Sequence, residues 1–94
     1  MKNRYSDGVV TPQALEARHS IAQQLRDTRH SLHLTQEAVA ERAGTKKSNI
    51  SRMESGKYNP SLDFLVKVAD SMGKKIEIQV NYCYERLFRN EKNT

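Results

Sequence analysis

The sequence predicts a mainly α-helical bundle closed by one C-terminal β-strand. Three observations carry that expectation. Between residues 12 and 73, apolar residues recur three and four positions apart, the spacing of one helix face. The same stretch is divided by start and stop residues: Thr11-Pro12, Thr35 and Gly44, Thr45 and Gly56, Ser61 and Gly73. After Gly73 the period drops to two, in "KKIEIQVNYCY".

The elements follow in order. Residues 1–10 carry Gly8 and no clear period, with Val9 and Val10 available for a short extended piece. Thr11 before Pro12 is a cap followed by a good first helical residue. A helix is expected from Pro12 to about Arg29, with Leu15, Ile21, Ala22 and Leu25, together with Arg18, on one broad face. It should fray near "RHSLH". Thr35 caps the next helix, "QEAVAERA", and Gly44 stops it. Thr45 is expected to cap a third helix from about Lys46 to Ser55, with Ile50 and Met53 on its inner side. Gly56 ends that helix, and "KYNPS" is a loop in which Pro60 holds Asn59 extended. Ser61 caps a fourth helix whose apolar stripe is Leu62, Leu65, Val66, Ala69 and Met72. In the strand that follows, Ile76, Ile78, Val80, Tyr82 and Tyr84 alternate with polar residues and Cys83.

Composition narrows the class. A chain of 94 residues makes one small domain. It buries only roughly 60 to 65 % of the surface its unfolded form exposes, so a second copy would help it. Sixteen Lys and Arg against eleven Asp and Glu give a formal charge of +5, which favours an anionic partner such as nucleic acid. Few aromatics and no Trp argue against a base-stacking surface. The single thiol, Cys83, makes neither an internal disulfide nor a cysteine-based metal site, and fits a reducing cytoplasm. No apolar run approaches the roughly 20 residues that span a bilayer, so no membrane partner is expected. The opening "MKNRYSDGVV" is too short and polar for a signal peptide.

Other chemistries are weaker readings. His30 and His33 are three apart, but no Cys, Asp or Glu in that segment completes a metal site. His19 reads as a surface or boundary residue. Cys83 has no nearby His to activate it and reads as a plain strand residue. No Gly-rich phosphate loop and no carboxylate constellation is present, so neither enzyme activity nor a cofactor is expected.

The second and third helices are the informative pair. Two short helices with a tight turn at Gly44 make the helix-turn-helix pattern. The turn needs a residue tolerant of unusual dihedrals and small enough for close helix approach. Ala40 is small where the third helix must come close, and Ile50 is placed to fill the angle between the two. Lys47, Ser48, Asn49, Ser51 and Arg52 cover the other side of the third helix, and such side chains can read base edges in a major groove. One local rule is broken. Lys46 and Lys47 stand in a first turn, where the macrodipole disfavours cations by about 0.3 to 1 kcal/mol each. Approaching phosphates would relieve that conflict, although exposed lysines also simply solubilise a surface.

Residues 26–73 resemble the Cro/repressor-type, XRE-like helix-turn-helix domain. The matching pieces are "LRDTRHSLHLTQEAVAERAG", "ISRMESGKYNPS" and "LDFLVKVADSMG". Thr35-Gln36-Glu37, Ala40, Gly44, Ile50-Ser51, Glu54, Gly56-Lys57 and Pro60-Ser61-Leu62 fall at the family's spacing. The resemblance implies a lambda-repressor-like bundle that binds double-stranded operator DNA as a homodimer. It implies that Gln36 contacts a phosphate, that Lys47, Ser48 and Arg52 read bases, and that Lys46, Asn49 and Lys57 lie near the backbone. Asn49 is also counted among the base-reading candidates, from its place on the polar side of the helix. Arg29 and Glu54 match a partly buried ion pair tying the first helix to the end of the reading helix.

After Gly73 the sequence departs from the phage-repressor pattern, which continues into a fifth helix. A helix-turn-helix followed by a strand is similar to antitoxin repressors of the HigA and HipB kind. That similarity implies a small cognate toxin as a further partner and repression of the chain's own promoter. The alternative is a stand-alone or phage-type regulator with no toxin. The expected organisation is a flexible N-terminal segment over 1–10, a DNA-binding domain over 11–73, a dimerisation strand over 74–84 built on Ile76, Ile78 and Val80, and a polar tail over 85–94. A strand packed on its own domain, beside Val9 and Val10, is the competing arrangement.

Overall fold

The computed structural model describes residues 10–81, in which four helices follow one another: α1 (Pro12–Ser31), α2 (Gln36–Ala43), α3 (Lys47–Glu54) and α4 (Leu62–Ser71). Hydroxyl caps start three of them. Thr11, Thr35 and Ser61 each accept from the backbone N–H three residues on, at 3.0 to 3.1 Å. The third helix departs from expectation. Its N-cap is Lys46, with no side-chain cap, and Thr45 stands one residue outside. The Thr45 hydroxyl instead accepts from Asn49 Nδ2 at 2.9 Å. Lys46 therefore precedes the first turn, and only Lys47 stands within it.

The ends of the helices are as well defined as their starts. Gly44 closes α2 in the left-handed region, φ 71°, with the Thr45 N–H returning to the Ala40 carbonyl. Gly73 closes α4 in the same way, through the Lys74 N–H and the Ala69 carbonyl. The first helix does not fray at "RHSLH". It runs two residues further than expected and turns at His33, a non-glycine residue at φ 56°. The Leu34 N–H bonds back to the Arg29 carbonyl, completing the same closing geometry without a glycine.

Helix α2 packs against both α3 and α4, and α1 packs against α3. Their shared core holds Leu25, Val39, Ala40, Ile50, Met53, Val68, Ala69 and Met72, with Ile21, Leu34, Phe64, Leu65 and Ile76 packed on its margin. Ile50, Met53, Val39 and Val68 are the largest fully buried side chains, each contributing roughly 1.5 to 3 kcal/mol of apolar burial. Two expected stripes shift. On α1, Leu15 is exposed while Ala22 and Leu25 are buried. On α4, Leu62 and Val66 are exposed, and Val68, which was not assigned to the stripe, is 1 % exposed. Leu65, Ala69 and Met72 hold their expected places, and the packed face turns from Leu62 and Val66 toward Val68. Tertiary contact with α2 selects the row of Leu65, Val68, Ala69 and Met72.

Residues 74–81 leave α4 without entering a helix, and among the described residues no strand ladder forms. Ile76 packs on the core margin, whereas Ile78 is 64 % and Val80 97 % exposed. Val10 is exposed as well. Val9, Tyr82, Cys83, Tyr84, most of the 1–10 segment and the whole 85–94 tail lie outside the described residues. An open groove of about 510 Å³ runs between α1, α4 and residues 74–78, with Ile21, Leu25, Leu62, Leu65, Ile76 and Ile78 in its walls. Among the described residues no helix is long and apolar enough to cross a membrane.

Candidate nucleic-acid interface

Helix α3 has two sharply different sides. Ile50, Met53 and Glu54 face inward and are buried. Lys47, Ser48, Ser51, Arg52 and Ser55 are exposed, at the offsets of neighbours on one helical face. Lys46 is exposed before the helix and Lys57 beyond it, so cations stand at both ends of this face. Lys47 has one acidic neighbour, Glu37 on α2, at 3.7 Å with both side chains more than half exposed. Such a pair contributes little in water. Asn49 is set back from the face. It is half-buried, and its amide is held by Thr45.

The angle of α3 is set by a buried polar junction. Arg29 near the end of α1 and Glu54 at the end of α3 form a bidentate pair, with Nε to Oε2 at 2.7 Å and Nη2 to Oε1 at 3.0 Å. Both residues are less than a tenth exposed. Arg29 Nη1 also donates to the Leu34 carbonyl at 2.8 Å, and Nη2 meets His30 Nε2 at 3.1 Å. Hydrogen bonding to Glu54 raises the Arg29 pKa above the ordinary guanidinium value, and burial, which acts the other way, does not overcome it. Gln36, the first residue of α2, donates its Nε2 to Glu54 Oε1 at 3.1 Å. One carboxylate thus receives donors from α1 and α2 while standing on α3. Among the described residues no buried side-chain polar atom lacks a partner. A satisfied junction of this kind specifies a geometry more than it adds stability.

Two glycines frame α3 for different reasons. At Gly44 an added Cβ would meet nothing within 4 Å, so the turn needs its positive φ and not its small size. At Gly56, φ 76°, an added Cβ would also lie 2.7 Å from His19 Cδ2 on α1. At the end of α3 close approach is thus added to the demand for positive φ, whereas at the turn before it φ acts alone.

Comparison with known proteins agrees with this geometry. Residues 24–79 match the helix-turn-helix family, more than half of the chain. The chain belongs to the XRE-like helix-turn-helix family of transcriptional regulators. It is 40 % identical over 53 residues to an HTH-type transcriptional regulator of Archaeoglobus fulgidus, covering 56 % of this chain and 75 % of that one. It is 39 % identical over 51 residues to another from Methanothermobacter thermautotrophicus, covering 54 % and 74 %. Among solved structures it is similar to a chain of a toxin–antitoxin module from Streptococcus pneumoniae, with a TM-score of 0.61 and 26 % identity over 87 % of this chain and 97 % of that one.

One residue of the helix-turn-helix face escaped the sequence reading. Tyr58, in the loop after α3, lies under the Arg52 guanidinium, with 5.8 Å from the Arg52 Cζ to the ring centroid. A faint signal was present, since Tyr58 directly follows Lys57, the one residue of that loop expected near the DNA backbone. What hid it was separation: six residues in sequence and a glycine turn lie between ring and cation.

Proposed function

We propose that this regulator is a sequence-specific double-stranded DNA-binding repressor and the antitoxin of a toxin–antitoxin pair that autoregulates its operon. The observation that carries the antitoxin part is the likeness to a toxin–antitoxin module over nearly the whole chain. In this reading α3 enters the major groove, where Lys47, Ser48, Asn49 and Arg52 meet base edges. Gln36, Lys46 and Lys57 meet phosphates, which position the helix without carrying sequence information. Gln36 keeps one N–H for that contact, because an amide has two and Glu54 takes only one. The DNA-binding unit is residues 11–73.

In the same reading residues 74–84, of which 82–84 lie outside the described residues, are the dimer strand. Ile76 anchors the segment to its own bundle, and exposed Ile78 and Val80 need a cover. A two-fold copy pairs antiparallel with it and lays the joint apolar face over both bundles. Each subunit then offers α3 to one half-site, with centres about 34 Å apart or a multiple of that. The protein acts in the cytoplasm with operator DNA, its own copy and a small toxin as partners.

The archaeal relatives are named as transcriptional regulators and no more, so a second reading is kept, a stand-alone regulator without a toxin. One experiment addresses both. Purified from its native host, the antitoxin carries the product of an adjacent gene with it, and a stand-alone regulator does not. In fluorescence anisotropy the purified chain prefers its own promoter to random duplex, and affinity falls with a log–log salt slope of about −0.9 per neutralised phosphate. Equal binding to promoter and random DNA overturns the repressor reading.

A further inference from the structure

We propose that Tyr58 is a positioning residue for DNA recognition, an aromatic platform that holds the Arg52 guanidinium in one presentation toward the major groove. This rests on the reading of Arg52 as a base reader. Arginine carries substantial rotamer freedom, and an exposed arginine on a helix must give that freedom up to make a two-pronged contact with a base. A ring beneath the guanidinium removes part of that freedom before DNA arrives, because the negative face of the ring attracts the cation.

The platform itself is built, not incidental. Ser55 Oγ donates to the Arg52 carbonyl at 2.6 Å and accepts from the Lys57 N–H at 3.2 Å. One hydroxyl therefore fastens the last turn of α3 to the segment that carries Tyr58. Gly56 turns against His19 at positive φ, which fixes where that segment leaves the helix. Tyr58 also lines a small, mostly apolar hollow with Ile21, Met53, Pro60 and Leu65. Tyr58 is 44 % exposed, and it both lines the hollow and lies beneath Arg52. Loop, ring and cation thus form one unit at the C-terminal end of the exposed face.

A double-mutant cycle tests the proposal on the tightest duplex selected from a random pool, and on single-base variants of it. Arg52→Ala weakens the selected duplex by roughly 5- to 150-fold and relaxes preference at one base pair. Tyr58→Leu keeps an apolar wall for the hollow but removes the ring face. It weakens binding by roughly 2- to 5-fold and relaxes preference at that same base pair. Tyr58→Phe retains both affinity and preference. On the Arg52→Ala background, Tyr58→Leu causes no further loss. Thermal unfolding of each variant verifies that the bundle is intact. If Tyr58→Leu and Arg52→Ala losses multiply, or if Tyr58→Phe loses as much as Tyr58→Leu, the platform is overturned and the hydroxyl or ring acts by its own contact. If Arg52→Ala leaves base preference unchanged, the base-reading assignment falls and the platform with it.

Discussion

The Arg29–Glu54 junction and the segment after Gly73 stand at opposite extremes of self-sufficiency. At the junction, the donors of Arg29 and Gln36 converge on Glu54 within 2.7 to 3.1 Å, and both charged residues are buried. After Gly73, Ile78 and Val80 follow the packed Ile76 with most of their surface in water. The contrast separates what one copy of the chain completes from what it leaves open. The four helices close their own core and fix α3 within it. Among the described residues the apolar side of 76–80 finds no complete seat. Damage to the junction should therefore appear in the stability of the single chain, and damage to the segment in assembly and DNA binding.

The largest expected effect breaks the junction. Glu54→Ala strands the Arg29 charge in a site less than a tenth exposed and removes the acceptor of Gln36. It should cost about 3 to 5 kcal/mol in urea denaturation. A loss below about 1 kcal/mol, the range of a surface pair, would mean that the junction is effectively solvated.

A middle effect sharpens the account of how α3 ends. Gly56→Ala meets a positive φ and the His19 ring, and should cost about 1 to 2 kcal/mol. His19→Ala in the same chain should recover only a small part, because the ring is exposed and can swing away while the backbone angle cannot change. Full recovery in the double variant would make close approach, not φ, the deciding term.

The smallest effect on the single chain belongs to the segment. Ile78→Asp should change bundle stability by less than about 0.5 kcal/mol, since Ile78 is mostly exposed. In sedimentation equilibrium the same variant should be monomeric at concentrations where the wild type is dimeric, and its DNA affinity should fall with the dimer. A wild type that is itself monomeric at tens of micromolar, yet binds its operator tightly, would remove residues 74–84 from the dimer contact.

Much of the candidate site could be read from local chemistry. Thr35, Gly44, Gly56 and Ser61 act through hydrogen bonds and φ angles a few residues away, so their roles follow from sequence spacing. Arg29 and Glu54 are 25 residues apart and were paired only through the family's spacing, because nothing local demands that the two meet. Thr45 shows the limit of local rules. It has the chemistry of a cap, but its hydroxyl is engaged by Asn49, and Lys46 takes the cap position uncapped.

By itself the sequence determined the starts of α1, α2 and α4, the glycine stops of α2 and α4, the helix-turn-helix spacing and the excess of cations around α3, because each depends on neighbours within a few residues. Only the tertiary structure decided which helical row of α4 is buried, that Gly56 rather than Gly44 is pressed by a neighbouring helix, that Gln36 is already held by Glu54, and that Tyr58 lies beneath Arg52. The physical reason is common to all four. A helix period defines a family of possible faces, and a glycine or an arginine has several possible uses. The choice among them is made by whichever residue from a distant part of the chain arrives within contact distance.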